Sequence, residues 1–324
     1  MPIANIVQAV TMGLRQELKR DKNVIVLGED VGLNGGVISA TDGLQKEFGP
    51  DRVIDTPLAE LGIIGASIGL AVNGMKPVAE IQFSGFVYAA FDQLLSHAAR
   101  IRMRSRGRFT CPLVLRTPYG AGIRALELHC ESGESMFSHI AGLKIVVPSN
   151  PYDTKGLLAA AIRDPDPVIF YEPMRIYRAI KQDIPEEEYF MPLGKANVLQ
   201  QGDDVTLIAW GAMVKTCQEA IAKLQGKYSV ELIDLRTINP YDAETIISSV
   251  KKTGRCVIAH EAPRTAGFAA ELIAAINEKA LLSLQAPVIR VTSPDVPIPL
   301  AKLEAYYLPD VNRILKGIEK VMRF

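Results

Sequence analysis

The sequence has 324 residues, of which 48% are apolar and 22% charged, a composition typical of a globular protein large enough for two domains. Its 36 lysines and arginines balance its 36 aspartates and glutamates, so no basic excess indicates nucleic-acid binding. The sequence shows neither a signal peptide nor an apolar run long enough to cross a bilayer, and we therefore expect a cytoplasmic protein that does not bind membranes.

The first half of the sequence alternates between apolar runs rich in β-branched residues and helical patterns, which predicts βαβ units with parallel strands. Strands are expected at 23–27, 52–55, 77–83, 113–116, 143–147 and 168–171. After an N-terminal helix, further helices are expected at 57–73, 86–103 and 152–163.

The second half repeats this alternation after an acidic, proline-bounded segment that lacks apolar periodicity. Strands are expected at 204–210, 229–235, 256–260 and 288–292, and helices at 212–224, 241–251, 266–280 and 311–322. We therefore predict an α/β protein of two open α/β domains, at 1–180 and 196–324, joined by a linker at 181–195.

The helix expected at 57–73 has a good start, because Thr56 can cap it and Pro57 suits its first position. Its residues are apolar or small on every side, which predicts a helix buried all round. A lone carboxylate, Glu60, stands at its head, after the end of a strand, where open α/β sheets bind ligands. Glu60 is interpreted either as a partner of the helix dipole or as a buried acid that hydrogen-bonds a cofactor.

Two further residues are candidates for chemistry. Glu29 follows the strand at 23–27 and precedes glycine-rich turns, either as a solvated turn residue or as a second acid of the same site. His129 lies in a loop after the strand at 113–116, either as a surface residue or as a reactive group held by the scaffold. No complete phosphate-binding glycine motif follows a strand, so the sequence offers no diphosphate site of its own.

Several motifs occur in an order and at a spacing that resemble one family. They include Leu27-Gly-Glu-Asp-Val-Gly, Asp55-Thr-Pro-Leu-Ala-Glu, Pro77-Val-Ala-Glu-Ile-Gln-Phe, Pro192-Leu-Gly-Lys-Ala, Asp234-Leu-Arg-Thr-Ile-Asn-Pro and Val291-Thr-Ser-Pro-Asp-Val-Pro. From about Asn5 to its end, the sequence resembles the β subunits of thiamine diphosphate-dependent 2-oxo acid dehydrogenases. The resemblance implies a transketolase-like pyrimidine-binding domain followed by a transketolase C-terminal domain.

The resemblance also implies roles for single residues. Glu60 would hydrogen-bond a nitrogen of the aminopyrimidine ring and so promote loss of the proton from the thiazolium carbon. Glu29 would lie near the same ring or couple to Glu60, and Leu58 and Phe86 would form walls around it. His129 would assist transfer of the acyl group to a lipoyl group.

Cofactors and partners are implied as well. Thiamine diphosphate would be shared with an α subunit that holds the diphosphate and its magnesium, in an assembly of two α and two β chains. A dihydrolipoyl acyltransferase would accept the product. A possible potassium site of the family matches Leu113, Ala161, Ile162, Asp164 and Asp166, although Asp164-Pro-Asp-Pro also fits an ordinary helix end.

The segment around Glu127 and His129 resembles the pyruvate type of this family more than the branched-chain type. We therefore expect oxidative decarboxylation of pyruvate, with a branched-chain 2-oxo acid or acetoin dehydrogenase β subunit as the alternative. A non-catalytic assembly subunit is a hypothesis of another class, and retention of Glu60 and His129 argues against it. A single-chain transketolase-like enzyme is disfavoured because the diphosphate motif is missing.

Overall fold

The computed structural model describes residues 2–324, in which strands and helices alternate along the chain. The strands are β1 (Ile3–Ala4), β2 (Val24–Gly28), β3 (Val53–Asp55), β4 (Lys76–Glu80), β5 (Val114–Tyr119), β6 (Lys144–Val146), β7 (Val168–Pro173), β8 (Gln182–Asp183), β9 (Asn197–Gln200), β10 (Val205–Ala209), β11 (Val230–Asp234), β12 (Thr237–Asn239), β13 (Cys256–Pro263) and β14 (Ile289–Ser293). The α-helices are α1 (Ile6–Arg20), α2 (Leu44–Phe48), α3 (Glu60–Val72), α4 (Ile101–Arg104), α5 (Glu134–Ser138), α6 (Pro151–Arg163), α7 (Ala212–Leu224), α8 (Ala243–Thr253), α9 (Ala269–Ala280), α10 (Glu304–Tyr307) and α11 (Val311–Met322).

Two sheets organise the fold. The first has the strand order β12-β6-β7-β5-β4-β2-β3 and the second the order β14-β13-β10-β11-β9. Neighbours pair in parallel except for β12 on β6 and β9 on β11, which are antiparallel edge strands. The predicted fold class, two open α/β layers, is confirmed, and each predicted strand is present.

Local sequence explains why the main elements form where they do. Strands β2, β5, β10 and β11 are buried at every residue, as expected for parallel strands with helices on both faces. Helix α1 begins with a capping box between Asn5 and Gln8. Helix α6 begins with Asn150 as its cap and a proline at its first position.

The segment between the two sheets is attached to the first half of the chain. Strand β8 pairs with β1, and Ile184 is fully buried. The ammonium of Lys155 donates to the carbonyl oxygens of Pro185 at 2.6 Å and Glu187 at 2.9 Å. In addition, β12 from the second half joins the edge of the first sheet. The domain limits at 1–180, 181–195 and 196–324 stay a prediction.

The expected start of the helix at 57–73 is wrong. Helix α3 begins at Glu60, and its cap residue is Ala59 rather than Thr56. The amide of Thr56 instead donates to the carbonyl oxygen of Gly28 at 2.9 Å, so the chain stays extended beyond β3. Residues 56–59 therefore form a connection across the carboxyl end of the sheet.

The prediction of one continuous helix at 86–103 is also wrong. The chain there forms a 3-10 helix (Ser84–Ala90), a π-helical turn (Gln93–His97), another 3-10 turn (Ala98–Arg100) and then α4. The physical reason lies at its start, where the Gly85 amide donates to the carbonyl oxygen of Leu128 at 3.1 Å. The Ser84 hydroxyl donates to the carbonyl oxygen of Glu131 at 2.7 Å. These groups bind a neighbouring loop, and the segment bends to reach it.

Helix α3 is not buried all round, contrary to the prediction. Ile63, Ile64 and Ile68 are buried, but the opposite side exposes Leu61 at 53% together with several glycines and Ala66. No charged residue follows Glu60 within the helix, so this side is an apolar surface open to solvent. Within residues 2–324, neither α3 nor any other helix is long and apolar enough to cross a membrane.

Candidate active site

The predicted site residues lie at one edge of the first sheet. Strands β5, β4, β2 and β3 are neighbours and run parallel, so their carboxyl ends share that edge. Glu29 follows β2, Glu60 follows β3, Phe86 follows β4 and His129 follows β5. Ligands bind at this edge in open α/β folds because loops and helix N-termini converge there.

Glu29 and Glu60 form an electrostatically coupled pair at this edge. Both side chains are half-buried. Burial raises the pKa of Glu29, and the negative charges of Glu60 and Asp30 raise that pKa further. Two neighbouring carboxyl groups favour sharing of a proton, either with each other or with a basic nitrogen placed between them. Glu60 also lies in the first turn of α3, where it complements the helix dipole in the absence of a capping side chain.

The chain around this pair fits a flat ring that contains nitrogen. The hydroxyl oxygen of Thr56 is buried and has no hydrogen-bond partner among the described residues. Leu58 is 77% exposed although its side chain is large and apolar. An unpaired buried hydroxyl requires a hydrogen-bond partner, and the exposed leucine offers an apolar surface to a ring. An aminopyrimidine ring offers both polar atoms and an apolar face.

His129 packs against two phenylalanines, which also contact each other with ring centroids 5.8 Å apart. Its ring centroid lies 4.3 Å from that of Phe83 and 5.1 Å from that of Phe86. Its Nδ1 lies 2.9 Å from the carbonyl oxygen of Glu127. A carbonyl can only accept, so Nδ1 carries the proton and Nε2 of the neutral ring can accept one. The structure thus brings Phe86 and His129 into contact.

A buried ionic network links the strands that carry the site. The Arg116 guanidinium donates to Glu172 at 2.6 Å and to Glu80 at 2.9 Å, and the Tyr177 hydroxyl donates to Glu172 at 2.7 Å. Burial raises the pKa of Glu80. This network joins β4, β5 and β7 near their carboxyl ends. The network was not predicted from the sequence, although charged residues inside three apolar strands are a visible signal.

The five positions of the possible potassium site lie together around the end of α6. The Lys144 ammonium donates to both carboxylate oxygens of Asp164, at 2.7 and 2.6 Å. Asp166 forms an ion pair with Arg102 at 2.6 Å. The carbonyl oxygens of Leu113 and Ala161 accept backbone hydrogen bonds of 2.9 and 3.2 Å. Because chain cations already pair with both acids, a bound potassium would need the remaining carbonyl lone pairs. The site stays a prediction.

Two models of known protein families match the chain, one in each half. Residues 4–179 match the family model of the transketolase pyrimidine-binding domain, and residues 194–314 match that of the transketolase C-terminal domain. The chain is 51% identical to the pyruvate dehydrogenase E1 component subunit β of Acholeplasma laidlawii, over 100% of this chain and 99% of the relative. It is also 51% identical to the subunit of that name from Bacillus subtilis (strain 168), over 98% of each chain.

The chain belongs to the pyruvate dehydrogenase E1 β subunit family. The family inferred from the sequence motifs is thus confirmed. Among solved structures, a split gene transketolase described as an inactive β4 tetramer aligns with a TM-score of 0.78 at 20% identity. That alignment covers 99% of this chain and 98% of the transketolase chain, and it shows that the two proteins share a fold. Within the E1 β subunit family, the roles of single residues of this chain stay predictions.

Proposed function

We propose that this chain is the β half of a thiamine diphosphate-dependent dehydrogenase that decarboxylates pyruvate and passes the acetyl group to a lipoyl group. The observation that carries the proposal is the coupled pair of Glu29 and Glu60 at the carboxyl ends of β2 and β3. It occurs in a chain about half identical, over its whole length, to pyruvate dehydrogenase E1 β subunits.

In this proposal, Glu60 binds the aminopyrimidine ring. Its carboxyl group shares a proton with a ring nitrogen, and Glu29, whose pKa is raised by burial and by the charge of Glu60, places a second carboxyl group nearby. Leu58 covers one part of the ring, and Phe86 forms a wall toward His129. When bound, thiamine diphosphate supplies the nucleophilic carbon and the electron sink for decarboxylation.

His129 acts at the second half of the reaction. The carbonyl of Glu127 fixes its Nδ1–H, and Phe83 and Phe86 hold the ring, so Nε2 can exchange a proton with a lipoyl sulfur. We expect His129→Ala to slow acetyl transfer to a lipoyl domain far more than decarboxylation coupled to an artificial electron acceptor. Equal losses in the two assays would argue against this role.

An α subunit completes the site in this proposal. It would hold the diphosphate and magnesium, in a tetramer of two α and two β chains. The apolar face of α3, formed by Leu61, Gly62, Ala66 and Gly69, supports this because it adjoins Glu60 and is exposed in the isolated chain. Binding of a dihydrolipoyl acyltransferase, bound potassium and a cytoplasmic location belong to the same proposal.

The decisive experiment replaces Glu60 by glutamine in the complex with its α subunit. We expect assembly to be retained and pyruvate decarboxylation to fall by about 10²–10⁴-fold, the usual contribution of a positioned acid or base. Glu244→Gln is the matched control, because Glu244 is an exposed glutamate in the first turn of α8. Near-normal turnover of Glu60→Gln would show that Glu60 only complements the dipole of α3 and has no catalytic role. Preference of the wild-type complex for a branched-chain 2-oxo acid over pyruvate would reassign the substrate.

A further inference from the structure

The loop that carries His129 has little core of its own. It spans residues 120–131, between β5 and α5, and contains no helix or strand. Its apolar side chains point largely outward, with Ile123 44%, Leu126 71% and Leu128 45% exposed. Ala121 and Cys130, near the two ends of the loop, are buried, so the exposed stretch between them depends on polar contacts to keep one conformation.

The backbone of this loop is locally strained. Arg124 and Leu128 have φ angles of 59° and 65°, a left-handed conformation that residues with a side chain rarely adopt. Such conformations cost free energy and persist where surrounding contacts enforce them, often at active sites. Leu128 directly precedes His129, and its carbonyl oxygen accepts a hydrogen bond from Gly85.

Besides the hydrogen bond from Gly85, a second set of contacts to the loop comes from the second half of the chain. Glu304, in α10, is 4% exposed, and its carboxylate faces the loop. One oxygen accepts from the amide of Gly122 at 2.9 Å, and the other accepts from the amide of Arg124 at 2.8 Å. The Cys130 thiol, next to His129, donates to the first oxygen at 3.8 Å. A single buried carboxylate thus holds the loop on both sides of His129.

The chemistry of these contacts suits a fixed anchor. Hydrogen bonds from amides to a carboxylate are stronger than those between neutral groups, and two of them fix the orientation of the loop backbone. Burial and the nearby charge of Glu304 raise the pKa of the Cys130 thiol to about 12, so the thiol stays protonated and remains a donor.

We infer that Glu304 is a positioning residue for acyl transfer, which sets the place of His129 through Gly122, Arg124 and Cys130. The inference rests on the proposed function and deepens it. It gives the second half of the chain a part in positioning His129, although that half holds none of the predicted catalytic residues.

Hydrogen exchange tests the physical part of this inference on the full chain. In Glu304→Gln one carboxylate oxygen becomes an amide nitrogen, which cannot accept. We expect the amides of Gly122 and Arg124 to exchange about tenfold faster than in the wild type, because a charged acceptor is lost. Glu278→Gln is the matched control, since Glu278 is exposed in α9 of the same half. Unchanged exchange of both amides in Glu304→Gln would show that Glu304 does not fix the loop.

Kinetics of the assembled complex test the functional part. We expect Glu304→Gln to slow acetyl transfer to a lipoyl domain by about tenfold or more, with a much smaller loss in decarboxylation. Because Glu304 acts through His129, the double variant with His129→Ala should transfer no more slowly than His129→Ala alone. Multiplied losses in the double variant, or equal losses in both assays, would show a merely structural role.

A second variant covers the case in which Glu304→Gln does not fold. Glu304→Asp keeps the buried charge but withdraws the oxygens from the amides, and we expect the same selective loss of transfer in milder form. If His129→Ala leaves transfer unchanged, the proposed role of the histidine fails and this inference falls with it. If His129→Ala is selective but both Glu304 variants transfer normally, only the inference about Glu304 fails.

Discussion

Glu29 lies where burial and its acidic neighbours make it harder to ionise. Desolvation and the charge of Glu60 both raise the pKa of Glu29, and no ion pair with a basic residue compensates it within residues 2–324. Such an arrangement lowers the stability of the isolated chain. Local conflicts of this kind are common at functional sites, where a ligand resolves them.

The first prediction concerns the stability of the free chain as a function of pH. Because the pKa of Glu29 is raised in the folded state, its ionisation opposes folding, and this loss appears as pH rises past the ordinary glutamate range. Glu29→Gln should therefore raise the unfolding temperature at neutral pH and have little effect at low pH. Thermal unfolding of both chains across pH measures this.

The matched control for this prediction is Glu278→Gln, which removes a carboxylate from an exposed helix surface. It should leave the unfolding temperature nearly unchanged at every pH. In the complex, Glu29→Gln should also slow decarboxylation, so that one substitution stabilises the chain and weakens catalysis. A lower unfolding temperature of Glu29→Gln at neutral pH would contradict the coupling.

Sequence motifs predicted Glu29, Glu60 and His129 as candidates because each follows a recognisable strand. They did not predict Glu304, whose acceptor role depends on Gly122 and Arg124, about 180 residues away. Nothing in the pattern around Glu304 distinguishes a buried anchor from a surface glutamate. Burial of a charge is decided by tertiary contacts, which a single sequence does not display.

At the scale of elements, strands were easier to predict than the connections between them. A buried parallel strand is a short apolar run bounded by turn residues, and its register follows from the neighbours it joins. The segment from Ser84 to Arg104 has apolar residues at helical spacing, yet its backbone bends to bind the loop of His129. Helix propensity does not decide the local structure where a backbone group forms a tertiary hydrogen bond.

The second prediction concerns the contact between this bent segment and the loop. A methyl group at Gly85 would overlap the carbonyl oxygen of Leu128, and a backbone atom cannot swing aside as a flexible side chain can. Gly85→Ala should therefore displace the loop and slow acetyl transfer by about 10²-fold, as a misplacement near 1 Å does. Transfer assays and hydrogen exchange of residues 120–131 measure both effects.

Gly69→Ala is the control for the exchange measurement on the free chain. A methyl group there meets no atom within 4 Å, so the same chemical change carries no steric conflict. Exchange in residues 120–131 should match the wild type in Gly69→Ala and be faster in Gly85→Ala. Identical exchange in both variants would mean that the loop is not fixed by its contact with Gly85.

At the scale of the whole molecule, the isolated chain exposes surfaces that a complete enzyme would cover. The exposed side of α3 has no charged residue beyond Glu60, and Leu58 and Leu61 extend it toward the site. The sequence predicts a helix that is buried all round, and in the isolated chain only one side is buried. The two findings agree if a partner covers the other side, because apolar helices are buried in cores or interfaces.

The third prediction therefore concerns assembly with the α subunit. Ala66 lies in the exposed face of α3, and Ala66→Glu should leave the folding of the free chain intact because the position is open to solvent. In a tight apolar interface the new carboxylate would be buried without a partner, at a cost of several kcal/mol, which weakens assembly by about 10²-fold or more.

Sedimentation of mixtures of the two subunits measures this loss of assembly. The control is Ala222→Glu, which makes the same change on an exposed side of another helix, α7. Weakened assembly in Ala66→Glu alone would place the partner against α3, beside Glu60. Equal assembly of both variants would leave this face free and require another surface to complete the site.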